Sequence, residues 1–385
     1  MKHKDLTHSN SKSIPTASFP IHANKPSTLG KEHFLELMEE SFSHAWFSNA
    51  GQHCSNLEKQ LEQHLNVKHC ILTANGTLAM LAVISSLTLS GKVILPAFTF
   101  TSTANVLSLL GLEPVFCDIN PLTQNLDLNE CEQLITSDVS AIIPTHLWGR
   151  ATNIEAFEKL AKDHNIKLIF DAAHAFGNNY KGVPIASFGD AEVFSFHATK
   201  SFHTFEGGAI TTDDETLAEK LRLFINFGFK DYDDIALIGI NAKLSEAHCA
   251  MGLANLKCFG EITRRSKTIY LLYKKRLAEI CGIDLVNYDG DCMNYHYIAC
   301  SVSVNNRDSL IEMLHSKDII ARKYFSPGTH KLKPYSKNNI KLPITDLFAD
   351  QTIILPGGSN ITKQEVNYIC DLISEFLKQR EVANG

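Results

Sequence analysis

Apolar runs of four or five residues punctuate the first two thirds of the chain. Between them lie longer stretches whose apolar positions recur at helical spacing. The short runs predict strands at 70–73, 92–95, 114–118, 141–144, 167–170, 192–196 and 208–212. The longer stretches predict helices at 77–89, 102–110, 128–136 and 154–164. Strand alternating with helix implies an α/β fold with a mostly parallel sheet covered on both faces. In such sheets ligands sit beyond the carboxyl ends of the strands. After about residue 258 the rhythm changes to a charged helix at 261–280, a strand at 295–304 and helices at 307–317 and 363–379. The expected organisation is a loose N-terminal tail (1–18), a large domain (19–258) and a smaller C-terminal α+β domain (259–385).

Composition narrows the class. A chain of 385 residues can bury a sizeable core, and 44% hydrophobic with 20% charged residues is ordinary for a globular protein. The formal net charge is −6 and the basic residues are dispersed, which speaks against a nucleic-acid partner. No apolar stretch has the length of a membrane span, and the first residues hold no signal-peptide core, so a cytoplasmic protein without a membrane partner is expected. Ten cysteines show no C-x-x-C spacing, and several sit in apolar runs, as Cys70 and Cys117 do. They read as buried free thiols in a reducing compartment. The 17 histidines contain no H-E-x-x-H pattern, and no metal site is expected.

Four expected strand ends carry candidate chemistry. Lys200 follows the run Phe194-Ser195-Phe196 in a polar turn that leads to Gly207-Gly208. That placement suits an imine-forming amine, and equally an ordinary loop lysine. Asp171 ends the apolar run Lys167–Phe170. A carboxylate at a buried strand end needs a partner, which a protonated heterocyclic nitrogen or the N-terminus of a helix could supply. Asn75-Gly76-Thr77 stands where a strand meets an Ala/Leu-rich helix, as a phosphate seat or a simple cap. Phe100, in Pro96-Ala97-Phe98-Thr99-Phe100, could stack on a flat ring or belong to the core. Together the four make a phosphate seat, a ring platform, an acid for a ring nitrogen and an amine.

With these motifs in place the chain resembles the DegT–StrS family of nucleotide-sugar aminotransferases, from about residue 20 to the C-terminus. The most specific segments are FDAAHAFG (170–177) and FSFHATKSFHTFEGGAI (194–210). NGTLAM (75–80), PAFTFTSTANVL (96–107), PVFCDINPLTQNLD (114–127), PTHLWGR (144–150) and GINAKLSEAHCAMGL (239–253) support them. The resemblance implies the type I fold of pyridoxal-5′-phosphate-dependent transferases, with glutamate as amino donor and a keto-sugar nucleotide as acceptor. It implies that Lys200 forms the imine with pyridoxal phosphate and then shuttles the proton, and that Asp171 pairs with the pyridine nitrogen. By the same likeness Gly76, Thr77 and Ser195 contact the phosphate, Phe100 stacks on the ring and His174 stands near the ring hydroxyl. Asn241 matches an asparagine that reaches the phosphate of the neighbouring subunit, which implies a homodimer with shared active sites.

His146, Tyr324, His330 and Tyr335 fall in segments that resemble substrate-lining regions, and each can equally be a structural or surface residue. His22 and His296 read as core or surface histidines. Two positions depart from the common pattern: His203 stands where Asn is frequent, and Asn75 where Ser is. Retention of Lys200 argues against the dehydratase branch, which carries His there. The pattern is nearest to transaminases acting on thymidine-diphosphate-linked 4-keto-6-deoxyhexoses, as in O-antigen pathways. A keto-octulosonate acceptor, an elimination reaction or a regulatory protein on the same fold are the other readings. The tail is too short for a winged-helix domain.

Overall fold

The computed structural model describes residues 20–288, 294–336 and 339–384. The expected tail and Cys292 lie outside the described residues. In chain order, β1 (Ile21–His22), α1 (Lys31–His44) and α2 (Gln52–Leu65) come first. They are followed by β2 (His69–Thr73), α3 (Gly76–Ser86), β3 (Lys92–Pro96), α4 (Ser102–Leu109), β4 (Glu113–Cys117) and α5 (Leu128–Gln133). Next come β5 (Val139–Ile142), α6 (Ile154–His164), β6 (Lys167–Asp171), the short pair β7 (Asn179–Tyr180) and β8 (Val183–Pro184), and β9 (Ala191–Ser195). Then come β10 (Gly208–Thr212), α7 (Glu215–Phe224), β11 (Phe229–Asp231), β12 (Asp234–Ile235) and α8 (Glu246–Leu277). The remainder is β13 (Ile283–Leu285), β14 (Ile298–Val302), α9 (Val304–His315), β15 (Ile319–Ile320), α10 (Pro343–Gln351), β16 (Thr352–Leu355) and α11 (Lys363–Asn384).

Seven strands form one sheet in the order β2-β10-β9-β6-β5-β3-β4. β10 runs antiparallel to both neighbours, and every other pairing between adjacent strands beyond β9 is parallel. Because side chains alternate along a strand, each strand feeds two cores. Ile71, Ile169 and Val193 face one side with α3, α4 and α7. Leu72 and Phe194 face the other with α2 and the first half of α8, and Leu168 and Phe170 do so with α6. A three-stranded sheet, β13-β14-β16, makes a second core with α9, α11 and the far half of α8.

The boundary expected near residue 258 falls inside α8, which continues unbroken through it. What changes there is the packing partner. Cys249, Leu253 and Phe259 join the large core, whereas Ile269, Tyr270, Tyr273 and Leu277 join the small one. The start of the expected large domain is also reassigned. β1 pairs in parallel with β15, and Ile21 is buried in the small core, while His22 points outward. A two-residue strand is too short to write a period in the sequence. Of the nine described cysteines, all free, seven are buried, Cys258 is half-buried and Cys281 is exposed. Among the described residues no helix is long and apolar enough to cross a membrane.

The two cores are joined at Asp118, just past β4. Its carboxylate accepts hydrogen bonds from the backbone N–H groups of Ile344 and Thr345 and from the Thr345 hydroxyl, capping α10 from the large sheet. Asp118 is buried, so removing it leaves these donors unpaired. Asp118→Ala is expected to lower stability by about 2–4 kcal/mol. Urea unfolding measures this, and a loss below about 0.5 kcal/mol would show that the cap is not what holds α10 in place.

Candidate active site

The carboxyl ends of β2, β3, β5, β6 and β9 open into one cavity of about 860 Å³, lined among others by Gly76, Thr77, Phe100, Asp171, His174, Ser195 and Lys200. Register explains the convergence. Asp171 pairs with Val193 across β6 and β9, so these two and Ser195, two residues on, share the face that carries α3 and α4. Thr145 bridges to Asp171 and also lines the cavity. At the opposite strand end, β10 brings Gly208 against the start of α3. A Cβ there would lie 2.6 Å from the Asn75 carbonyl carbon, so only glycine lets the two backbones approach.

Lys200 points its Nζ at the hydroxyl of Tyr297, 3.2 Å away. Burial lowers its pKa from 10.5 to about 8, against the pull of Asp171, which raises it. Burial in turn raises Asp171 above the usual carboxylate value, opposed by the Ala173 N–H (3.1 Å), the charge of Lys200 and the Thr103 hydroxyl (3.2 Å). The Asp171 side chain thus accepts two hydrogen bonds, and among the described residues no cation stands within ion-pair distance of it. His174 lies against the Tyr297 ring at 4.4 Å and stacks near-parallel on Trp148 at 5.8 Å. Burial, with Lys200 and His296 nearby, drops its pKa far below 6.5, so the imidazole is neutral. Its Nδ1 is buried without a hydrogen-bond partner.

At the phosphate seat, the Asn75 side chain accepts from the Leu78 N–H and so caps α3. The Thr77 hydroxyl meets that of Ser102 at 2.7 Å, joining the starts of α3 and α4. Gly76 leaves the cradle open, since a Cβ there would stand 3.2 Å from the Cβ of Ser195. Free N–H groups at a helix start, hydroxyls and a glycine fit a phosphate monoester. The half-buried Asp171 with its unfilled acceptor capacity fits a protonated ring nitrogen, and exposed Phe100 supplies an aromatic wall. The residues present therefore fit pyridoxal phosphate.

Not every candidate meets in the cavity. Tyr324 lines it, but His146 does not. His146 is fully buried and stacks on Phe170 at 5.0 Å, with Nε2 3.7 Å from Glu192. Phe170 and Glu192 are in register one residue before Asp171 and Val193, which places His146 on the other face of the sheet. His330 is also buried, 3.2 Å from Asp346. Tyr335 packs on Phe116 and donates to Asn105. Asn241 bridges to Asn226 and lies outside the cavity of its own chain. His296 belongs to the core, with Nε2 2.6 Å from the carbonyl oxygen of Thr199, holding the turn that carries Lys200. Sequence reasoning missed Tyr297, Trp148, Arg322 and Phe325. Tyr297 lay inside an expected strand, where its alternation with Ile298 was the available signal.

An amine of lowered pKa, a buried carboxylate and a phosphate cradle at strand ends define an enzyme site for amino-group chemistry. The chain belongs to the DegT/DnrJ/EryC1/StrS aminotransferase family, which it matches over residues 29–374. It is 34% identical over 363 residues to a dTDP-4-amino-4,6-dideoxy-D-glucose transaminase of Shigella dysenteriae, covering 93% of this chain and 99% of that protein. Among solved structures it is similar to DesI in the presence of its TDP-sugar product, with 35% identity, a TM-score of 0.91 and 96% of each chain covered. It is also similar to NtdA from Bacillus subtilis with bound cofactor PMP, with 25% identity and a TM-score of 0.87, covering 96% of this chain and 87% of that one. The expected type I α/β fold is thus the fold observed.

The lowered pKa of Lys200 sets a pH dependence for the apoprotein. Only the neutral amine attacks a carbonyl, so the rate of pyridoxal phosphate capture should rise with pH up to about 8 and level off above it. Stopped-flow absorbance from pH 6 to 10 reads this directly. A rate still climbing towards pH 10 would mean that the amine is solvated.

Proposed function

We propose that this chain uses pyridoxal phosphate to move the amino group of glutamate to a keto-sugar carried on a nucleotide, in the cytoplasm, by a ping-pong sequence. The observation that carries this reading is the Lys200 amine, depressed to about 8, lining one cavity with Asp171. Similarity to DesI and to the Shigella transaminase supports a thymidine-diphosphate-linked sugar as the acceptor.

Bound pyridoxal phosphate supplies an electron sink for the negative charge left when a proton leaves the carbon bearing the amine. The chain's own residues do the rest. Gly76, Thr77 and Ser195 hold the phosphate, and Asp171, oriented by Thr103 and Ala173, keeps the ring nitrogen protonated. Lys200, once free, would take the proton from the donor's α-carbon and return it to the carbon on the far side of the intervening nitrogen. A pKa of about 8 suits both directions near neutral pH. Tyr297 accepts from Nζ and holds the amine on its path. His174, neutral and packed against Tyr297 and Trp148, lines the cavity and would stand beside the ring of the cofactor.

The proposal includes a homodimer. The β11–β12 segment exposes Tyr232 and Ile238 almost completely, with Phe227, Phe229 and Ile235 also open. A patch of this kind favours burial against a second copy. Asn241 follows that segment outside its own cavity, a position from which it would serve the partner's phosphate seat.

Lys200→Ala should abolish multiple-turnover transamination and the visible absorbance of the loaded protein. Glutamate should bleach that absorbance in the wild type. Sustained turnover by Lys200→Ala would refute the assignment, and a panel of nucleotide 3-keto and 4-keto sugars identifies the acceptor. Tyr297→Phe keeps the packing and removes the hydroxyl. It should lower kcat by about 10- to 100-fold, with little change in the KM of either substrate. A raised KM with kcat unchanged would make Tyr297 a binding residue instead.

A further inference from the structure

Arg322 lines the same cavity, contributed by the stretch after β15. Its backbone is pinned in both directions to Ile354, with N–H to oxygen distances of 3.0 and 2.8 Å. Its guanidinium lies 5.4 Å from the centre of the Tyr324 ring. Tyr324 in turn stacks on Phe325, and Phe325 on Trp148, at 5.3 and 5.5 Å. The exposed guanidinium is therefore drawn towards a ring stack at the cavity rim. Among the described residues no carboxylate pairs with it. Asp308, on α9, is taken by Arg307 and Lys323. Of the acids that line the cavity, Glu206 faces His197, and Asp171 serves the cofactor end.

Under the proposed function, on which this inference rests, both substrates bring anions into a cavity whose other strong base, Lys200, is committed to the cofactor. We propose that Arg322 is the anion anchor of this cavity, its planar fork binding paired oxygens of a substrate. Those oxygens belong to a carboxylate of the amino donor or to the diphosphate of the acceptor. A fork preset by a ring platform suits two adjacent oxygens and loses little freedom on binding.

The test compares cofactor-loaded wild type, Arg322→Gln and Arg322→Lys in two titrations. The first is the saturation of absorbance bleaching by glutamate, and the second is calorimetric binding of thymidine diphosphate. In one titration Arg322→Gln should weaken half-saturation by about 10- to 100-fold, with the limiting bleaching rate within threefold of wild type. Weakening with glutamate assigns the donor carboxylate, and weakening with thymidine diphosphate assigns the acceptor. Values within twofold of wild type in both titrations overturn the anchor. If Arg322→Gln does not load cofactor, Arg322→Lys carries the test. A threefold or greater weakening in either titration supports the fork contact, and unchanged binding overturns it. Wild type that glutamate does not bleach refutes the proposed donor, while the thymidine diphosphate titration still reads Arg322.

Discussion

The site depends on the partial desolvation of one amine and one carboxylate that share a cavity. In bulk water Lys200 would hold its proton near neutral pH and Asp171 would be an ordinary acid. Burial moves the two in opposite directions, Lys200 down and Asp171 up, because desolvation penalises whichever form is charged. The same dryness that frees the amine makes an unpartnered Asp171 costly. A cationic ring nitrogen resolves that cost, so the cavity is electrostatically prepared for its cofactor before any contact is counted.

That dryness is a joint product of two cores. The large sheet sets Asp171, Ser195 and the Lys200 turn at strand ends. The wall that closes over them comes largely from elsewhere: Tyr297 precedes β14, and Tyr324 and Phe325 follow β15. Phe98, Trp148, Tyr297 and Ile354 form the buried cluster at the join, and Thr329 bonds back to Ala97 and Thr99 at the end of β3. Asp118 fixes α10 to the same edge. A shift of the small core would therefore open the cavity to water as well as loosen the fold.

The large sheet was legible because its strands are buried on both faces and its helices on one, and both write regular periods into the sequence. Strand β10 and helix α6 fall where the pattern places them. Asp171 and Lys200 were legible because they follow such strands directly. Elements with weak periods were not: β1 has two residues, and α1 carries few buried side chains. His146 misled because a polar residue just past a strand can point to either face. Only the register of Phe170 with Glu192 shows that it turns away from the cavity. Arg322, Tyr324 and Phe325 lie in an irregular stretch, where no period announces which side chains converge.

The two departures from the common family pattern both take part in local hydrogen bonds that hold backbone segments in place. Asn75 uses its side-chain oxygen to cap α3, so that the helix start is held while the N–H groups of Gly76 and Thr77 stay available to a phosphate. His203 accepts from the Phe205 N–H at Nδ1, which leaves Nε2 to donate to the carbonyl of Ser27 and tie the N-terminal segment down. Burial lowers its pKa and keeps it in this neutral form. Asn75 makes its bond at the edge of the cavity, and His203 makes its own behind the turn that carries Lys200, so each residue steadies a segment on which the site is built.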